Sequence, residues 1–181
     1  MNQSVKKIIK PVAQLAAIAA LIGAYHRLKL EATEKLADGQ MHVFIKGFLG
    51  FLYAENTGAA FSLFSSSTNA LSIFTGVLLA AGVAYLLYPS KKRPLAYDIC
   101  VPLIIAGGAG NLIDRLAHGY VVDYIATLFM DFPVFNFADC LITCGCFALI
   151  IYLIYSIVSE SRQKKAVVPT KEFGADGEAD D

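Results

Sequence analysis

The chain has 181 residues, 56% of them hydrophobic and only 17% charged, with fifteen Lys and Arg balanced by fifteen Asp and Glu. Soluble domains carry about 25% charged residues, so this composition, with a mean hydropathy of +0.56, excludes a water-soluble globule and a disordered chain. The zero net charge argues against a nucleic-acid binder.

Lys6, Lys7 and Lys10 open the chain and are followed by an apolar run that we place as a first membrane span over 8–28. The residues immediately before Tyr25, Ile22-Gly23-Ala24, form no small-x-small cleavage site, so the run reads as a retained helix rather than a removed signal peptide. The next segment, 29–66, carries mixed charge, and Met41 to Tyr53 within it is rich in β-branched and aromatic residues. It predicts short strands at the membrane surface. From Asn56 to Ser90 there is no charged side chain, which places span two at 67–88. Asp98 is the one charge between Pro94 and Ile113, and Asp139 the one between Phe132 and Ser159. Spans three and four therefore fall at 96–116 and 136–158, joined by 117–135. Ala106 and Gly110, four apart in span three, predict close helix packing.

The basic clusters Lys6–Lys7–Lys10, Lys91–Lys92–Arg93 and Arg162–Lys164–Lys165 all fall on one side of four crossings. The positive-inside rule makes that side the cytoplasm and the topology N-in, C-in. Residues 1–160 read as one membrane domain. The Pro- and Gly-containing acidic stretch 161–181 reads as a disordered cytoplasmic tail. Cys100, Cys140, Cys144 and Cys146 form no CxxC pair and read as small buried hydrophobes, not as a metal site.

Ionisable groups at membrane depth are costly, which makes them functional candidates. Asn111, Asp114, Arg115 and His118 make one polar stripe at the outer end of span three. Asn136 and Asp139 sit at the start of span four, and Asp123 lies in the connection. Three carboxylates thus gather on one side. Two held together share a proton, and such a pair can activate water while protonating the developing oxyanion, as in aspartic proteases. Spacing alone leaves open which two form the pair. Asp114, beside Arg115, suits an ionised supporting role, whereas Asp123 and Asp139 have apolar sequence neighbours. The alternative reading for those two is helix N-capping. A transport path would spread polar groups through the membrane depth, and the GxGD block of other intramembrane aspartyl proteases is absent, since Asn111 follows Gly110. HExxH and GxSxG patterns are absent too.

Four blocks in order carry a resemblance: Asn56-Thr57-Gly58-Ala59-Ala60-Phe61-Ser62, Gly107 to Leu116 (GGAGNLIDRL), Gly119 to Ile125 (GYVVDYI) and Phe135 to Asp139 (FNFAD). With them the chain resembles bacterial lipoprotein signal peptidase, a membrane aspartic endopeptidase, over about residues 5–160. The resemblance implies an all-α membrane fold of four transmembrane helices. Residues 29–66 would form a surface β-cradle, and 117–135 a short extracytoplasmic helix or loop. It implies cleavage of prolipoproteins before a diacylglyceryl-modified Cys, at the outer face of the bacterial cytoplasmic membrane, by a monomer in contact with lipid and without metal or other cofactor. Asp123 and Asp139 would be the catalytic pair. Asp114, Asn56, Asn111, Arg115 and Asn136 would support the pair or bind substrate. In two respects the chain departs from the family pattern: Tyr25 stands where an Asp four residues before Lys29 is usual. Glu55 stands where a basic or neutral residue is usual.

Overall fold

The structure, a computed structural model, describes residues 3–58, 68–90 and 93–167. Ala59 to Ser62, Lys91, Lys92 and the acidic end of the chain lie outside the described residues. The elements in order are α1 (Gln3–Lys35), β1 (His42–Ile45), β2 (Leu49–Asn56), α2 (Thr68–Leu87), α3 (Leu95–His118), β3 (Val121–Thr127) and α4 (Phe137–Val167). The chain divides into two compact units, 1–149 and 150–181. Ile9–Lys35, Asn69–Leu87, Leu95–His118 and Phe137–Gln163 are each long and apolar enough to cross a membrane. All four expected spans are therefore helices, and the ends differ.

Helix α1 runs seven residues past the expected end at 28, because Arg27, Glu31 and Lys35 extend it as i,i+4 ion pairs at 3.2 Å. Its buried face is a single stripe of Gln14, Ile18, Tyr25, Lys29 and Ala32, continued by Leu36 just past its end. Ala32 and Leu36 pack with Tyr124, so the overhang fastens α1 to the sheet. Helix α4 continues to Val167, seven residues into the stretch expected to be disordered.

Around α3 the other helices of the first unit close by way of glycines. A Cβ at Gly107 would meet the Ala138 carbonyl and Ile142 of α4. One at Gly108 would come within 2.9 Å of Leu79 in α2, and one at Gly110 within 2.8 Å of the Tyr25 ring in α1. Three glycines within one turn thus admit three different helices, beyond the single packing face expected from Ala106 and Gly110. The apolar core here is Ile18, Leu86, Ile105, Ala106 and Leu141. The outward side of α2, including Ile73, Phe74, Val77 and Leu78, is exposed and apolar, as a lipid-facing surface requires.

The sheet has the order β1-β2-β3, antiparallel throughout. The connection 117–135, for which a short helix or loop was expected, is half strand. The run Val121-Val122-Asp123-Tyr124-Ile125 is β-branched and aromatic, and Asn56 pairs with Val121, Ala54 with Asp123 and Phe51 with Ile125. Gly119, in the left-handed region at φ 82°, ends α3 by donating its N–H to the Arg115 carbonyl and turns the chain straight into β3. Phe135 then bridges back to Ile125, with N–H···O distances of 2.7 and 3.0 Å, which sets where α4 begins.

At the far end of α3, Asp98 forms an ion pair with Lys10 and accepts from Gln14 Nε2 at 3.3 Å. Arg93 donates to the carbonyls of Tyr85, Leu86 and Tyr88 and so closes the C-terminus of α2. The cysteines are only partly as expected: Cys100 is buried, Cys140 and Cys146 are half-buried, and Cys144 is exposed. The helical period turns Cys144 outward instead of into the core.

Candidate active site

Two chain reversals bring the polar residues together. The C-terminal turns of α3 carry Asn111, Asp114 and Arg115. The Gly119 cap places Asp123 in the first half of β3, and the Phe135 bridge places Asn136 at the start of α4. Asn136 is the N-cap of α4. Its Oδ1 accepts from the N–H of Ala138 (2.8 Å) and Asp139 (3.2 Å), while Asp139 Oδ2 accepts from the Asn136 N–H at 2.9 Å. This is a reciprocal capping box with Asp in the usual Glu position.

The same Asn136 reaches the other carboxylate. Its Nδ2 donates to Asp123 Oδ1 at 2.6 Å and to Asn111 Oδ1 at 3.1 Å. Asn56, at the end of β2, donates its Nδ2 to Asp123 Oδ2 at 2.9 Å, and Asn111 donates its Nδ2 to Asp139 Oδ1 at 2.8 Å. Three asparagines therefore hold Asp123 and Asp139 in one network, and Asn136 touches both. Asp123 and Asn136 are essentially inaccessible at 2% and 0% exposure, while Asp139 is half-buried. Burial pushes the Asp123 carboxyl up to about 6. The nearby Asp139 adds to that rise, and the hydrogen bonds from Asn56 and Asn136 and the charge of Lys29 oppose it.

Both carboxylates line a cavity of about 470 Å³ with Asn56, Asn111 and Arg115. Its other wall is apolar, built from Phe132, Pro133, Val134, Phe135 and Ile142, with Cys140, Thr143 and Cys144. A polar strip facing an apolar wall suits an extended peptide whose backbone must be satisfied away from water. Arg115 donates Nη2 to the Gly58 carbonyl at 2.8 Å, and its buried Nε has no hydrogen-bond partner among the described residues.

Asp114 stands apart from the cavity. It is buried, forms an ion pair with Lys29, and accepts from the Val122 N–H and the Tyr25 hydroxyl, both at 3.3 Å. Asp114 thus has Lys29 of α1 as its counter-ion, not the adjacent Arg115. Consecutive residues on a helix point about 100° apart, so Arg115 turns to the Gly58 loop instead. The site residues that sequence reasoning did not place are Tyr25 and Lys29. Their signal was the family pattern, which marks positions 25 and 29 at the outer end of the first span.

The family described as signal peptidase (SPase) II matches residues 15–155, most of the chain. The chain belongs to the signal peptidase II family. It is 41% identical to the lipoprotein signal peptidase of Clostridium tetani over 138 residues, 75% of this chain and 88% of that one. It is 37% identical to that of Enterococcus faecalis over 136 residues, 75% of this chain and 84% of the other. The fold is similar to a bacterial membrane enzyme solved in meso at 2.3 Å resolution, with a TM-score of 0.73 and 28% identity over 80% of this chain and 89% of that one. A second such structure, at 1.9 Å resolution, gives a TM-score of 0.69 and 29% identity, covering 78% and 92% of the two chains. As a signal peptidase II the chain is a hydrolase and a multi-pass bacterial membrane protein.

Proposed function

We propose that this signal peptidase II is an aspartic endopeptidase with Asp123 and Asp139 as its dyad, removing the signal peptide of prolipoproteins before a diacylglyceryl-modified Cys. The observation that carries the reading is the network in which Asn56, Asn111 and Asn136 hold these two carboxylates at one cavity wall. Asp123, the deeper of the two, holds the shared proton, and Asp139 is the ionised partner. Asp139 takes a proton from water as its oxygen attacks the scissile carbonyl carbon, and Asp123 gives its proton to the carbonyl oxygen. Collapse of the tetrahedral diol breaks the C–N bond, the amine leaves with a proton from Asp139, and the diol returns one to Asp123. The free Arg115 Nε donates to a substrate carbonyl.

The dyad faces the outside of the cytoplasmic membrane in this reading, and the enzyme acts as a monomer. The Lys10–Asp98 and Lys29–Asp114 ion pairs support that placement. Asp98 and Asp114 lie on one helix, ~24 Å apart at 1.5 Å per residue, close to the ~30 Å of hydrocarbon between two membrane surfaces. The basic Lys10 and Arg93 gather at the end away from the dyad.

The test is purified protein in liposomes, given a diacylated prolipoprotein or its unlipidated form, with products resolved on a gel. Cleavage of the lipidated form alone is expected. No cleavage of either overturns the reading, and equal cleavage of both removes its lipid requirement.

A pH profile tests the proton assignment. The Asn56 hydrogen bond favours the ionised form of Asp123, so removing it raises the Asp123 pKa beyond its value of about 6. Protonated Asp123 then persists to higher pH. The alkaline limb of kcat/KM in Asn56→Ala is expected to move up by about half a pH unit or more. An unmoved or lowered limb contradicts Asp123 as the acid.

A further inference from the structure

We infer that Tyr25 is a positioning residue for the dyad: its hydroxyl fixes the amide of Asn111 so that Nδ2 faces Asp139. The inference rests on the reading of Asp123 and Asp139 as the reacting pair. Tyr25 is fully buried, and its one hydroxyl proton faces Asn111 Oδ1 at 3.0 Å, the shorter contact, and Asp114 Oδ2 at 3.3 Å. Asn111 Oδ1 has one other donor, Asn136 Nδ2 at 3.1 Å. The orientation of Asn136 is itself set by the two backbone N–H groups that its Oδ1 accepts. With both lone pairs of Asn111 Oδ1 occupied, the amide cannot turn over, and Nδ2 is committed to Asp139 Oδ1 at 2.8 Å. A line of hydrogen bonds thus runs from α1 to the carboxylate at the start of α4.

The ring is held independently of the hydroxyl. It lies against the bare backbone of Gly110, Lys29 Nζ sits 4.3 Å from its centroid, and the His26 ring meets it edge-on at 5.7 Å. Removing only the hydroxyl therefore keeps the packing and leaves a buried acceptor half-satisfied, which lets the Asn111 amide rotate. A carboxylate at position 25 has no proton to donate to Asn111 Oδ1, so the phenol supplies a contact that an ionised Asp cannot.

The experiment compares wild type, Tyr25→Phe, Asn111→Ala and the double variant for kcat, KM and thermal melting in detergent. Tyr25→Phe is expected to lower kcat roughly tenfold to a hundredfold, with KM within about twofold. It should add less than about threefold in the Asn111→Ala background, since both act through one contact. Wild-type kcat in Tyr25→Phe, beside an enzyme that cleaves its substrate, overturns the inference and leaves the functional reading standing. Equal additional losses in both backgrounds overturn it too. A readout independent of cleavage is the side-chain NH₂ resonance of Asn111 by NMR, assigned with Asn111→Ala. Faster amide rotation in Tyr25→Phe supports the inference even if the functional reading fails, and an unchanged resonance overturns it. Should Tyr25→Phe fail to fold, a ring-fluorinated tyrosine at 25 keeps ring and hydroxyl. A kcat that tracks phenol acidity supports the inference, and a flat response overturns it.

Discussion

Asp123→Asn and Asp139→Asn are each expected to reduce cleavage of a diacylated precursor by about a thousandfold or more. Neither amide can take a proton from water or hold one for the carbonyl oxygen. Each variant should still fold. Asp123 accepts from two asparagine amides, and Asp139 accepts from one amide and the backbone N–H at its own helix start. An Asn at either position keeps one acceptor oxygen and turns an NH₂ toward the other donor, which costs about 1–3 kcal/mol. Rates in proteoliposomes and melting curves in detergent separate the two effects. A near-normal rate in either variant removes the dyad assignment. If Asp114→Asn proves inactive but folded while Asp123→Asn remains active, the pair is Asp114 and Asp139 instead.

The second large effect is on stability. Lys29→Met leaves Asp114 buried at 3% exposure and without the one cation paired with it among the described residues. Breaking a buried pair by removing one partner costs about 3–5 kcal/mol, because the remaining charge is uncompensated. Lys29→Met is therefore expected to melt far below wild type. Adding Asp114→Asn should recover most of the loss, since the amide is neutral and its oxygen still accepts from Val122 N–H and the Tyr25 hydroxyl. If the double variant is no more stable than Lys29→Met alone, the pair is not what links α1 to α3.

The spans were legible because an apolar helix at membrane depth excludes charge, and Asp98 and Asp139 are isolated interruptions. The helix ends were not, because the Arg27–Glu31–Lys35 overhang is polar and reads as loop until the sheet gives it something to pack on. Strand β3 was missed for a related reason. Its burial is nearly continuous from Val121 to Tyr124, so the alternation that marks a half-exposed strand is absent. Asn111, Arg115, Asp123 and Asp139 were found as polar residues at the ends of apolar spans and in their connection, Asn56 came only through the family resemblance, and the five line one cavity. Their pairings were beyond reach of spacing. Lys29 and Asp114 are far apart in sequence, and the local guess of Arg115 as the partner was overridden by the direction in which each side chain leaves the helix.

The antiparallel pairing of β2 with β3 also sets an order of events during synthesis. Asn56 and Val121 are ladder partners, and α2 and α3 lie between them in the chain. Closing so long a loop is slow and waits until both intervening helices are in the bilayer. The contact of Asn56 with Asp123 is made by that closure, and Asn136 and Asp139 follow later still. A nascent chain arrested after its second or third span therefore lacks the network that joins Asn56, Asp123, Asn136 and Asp139. The last contacts of the site arrive with the last helix, after the first three spans are already in the membrane.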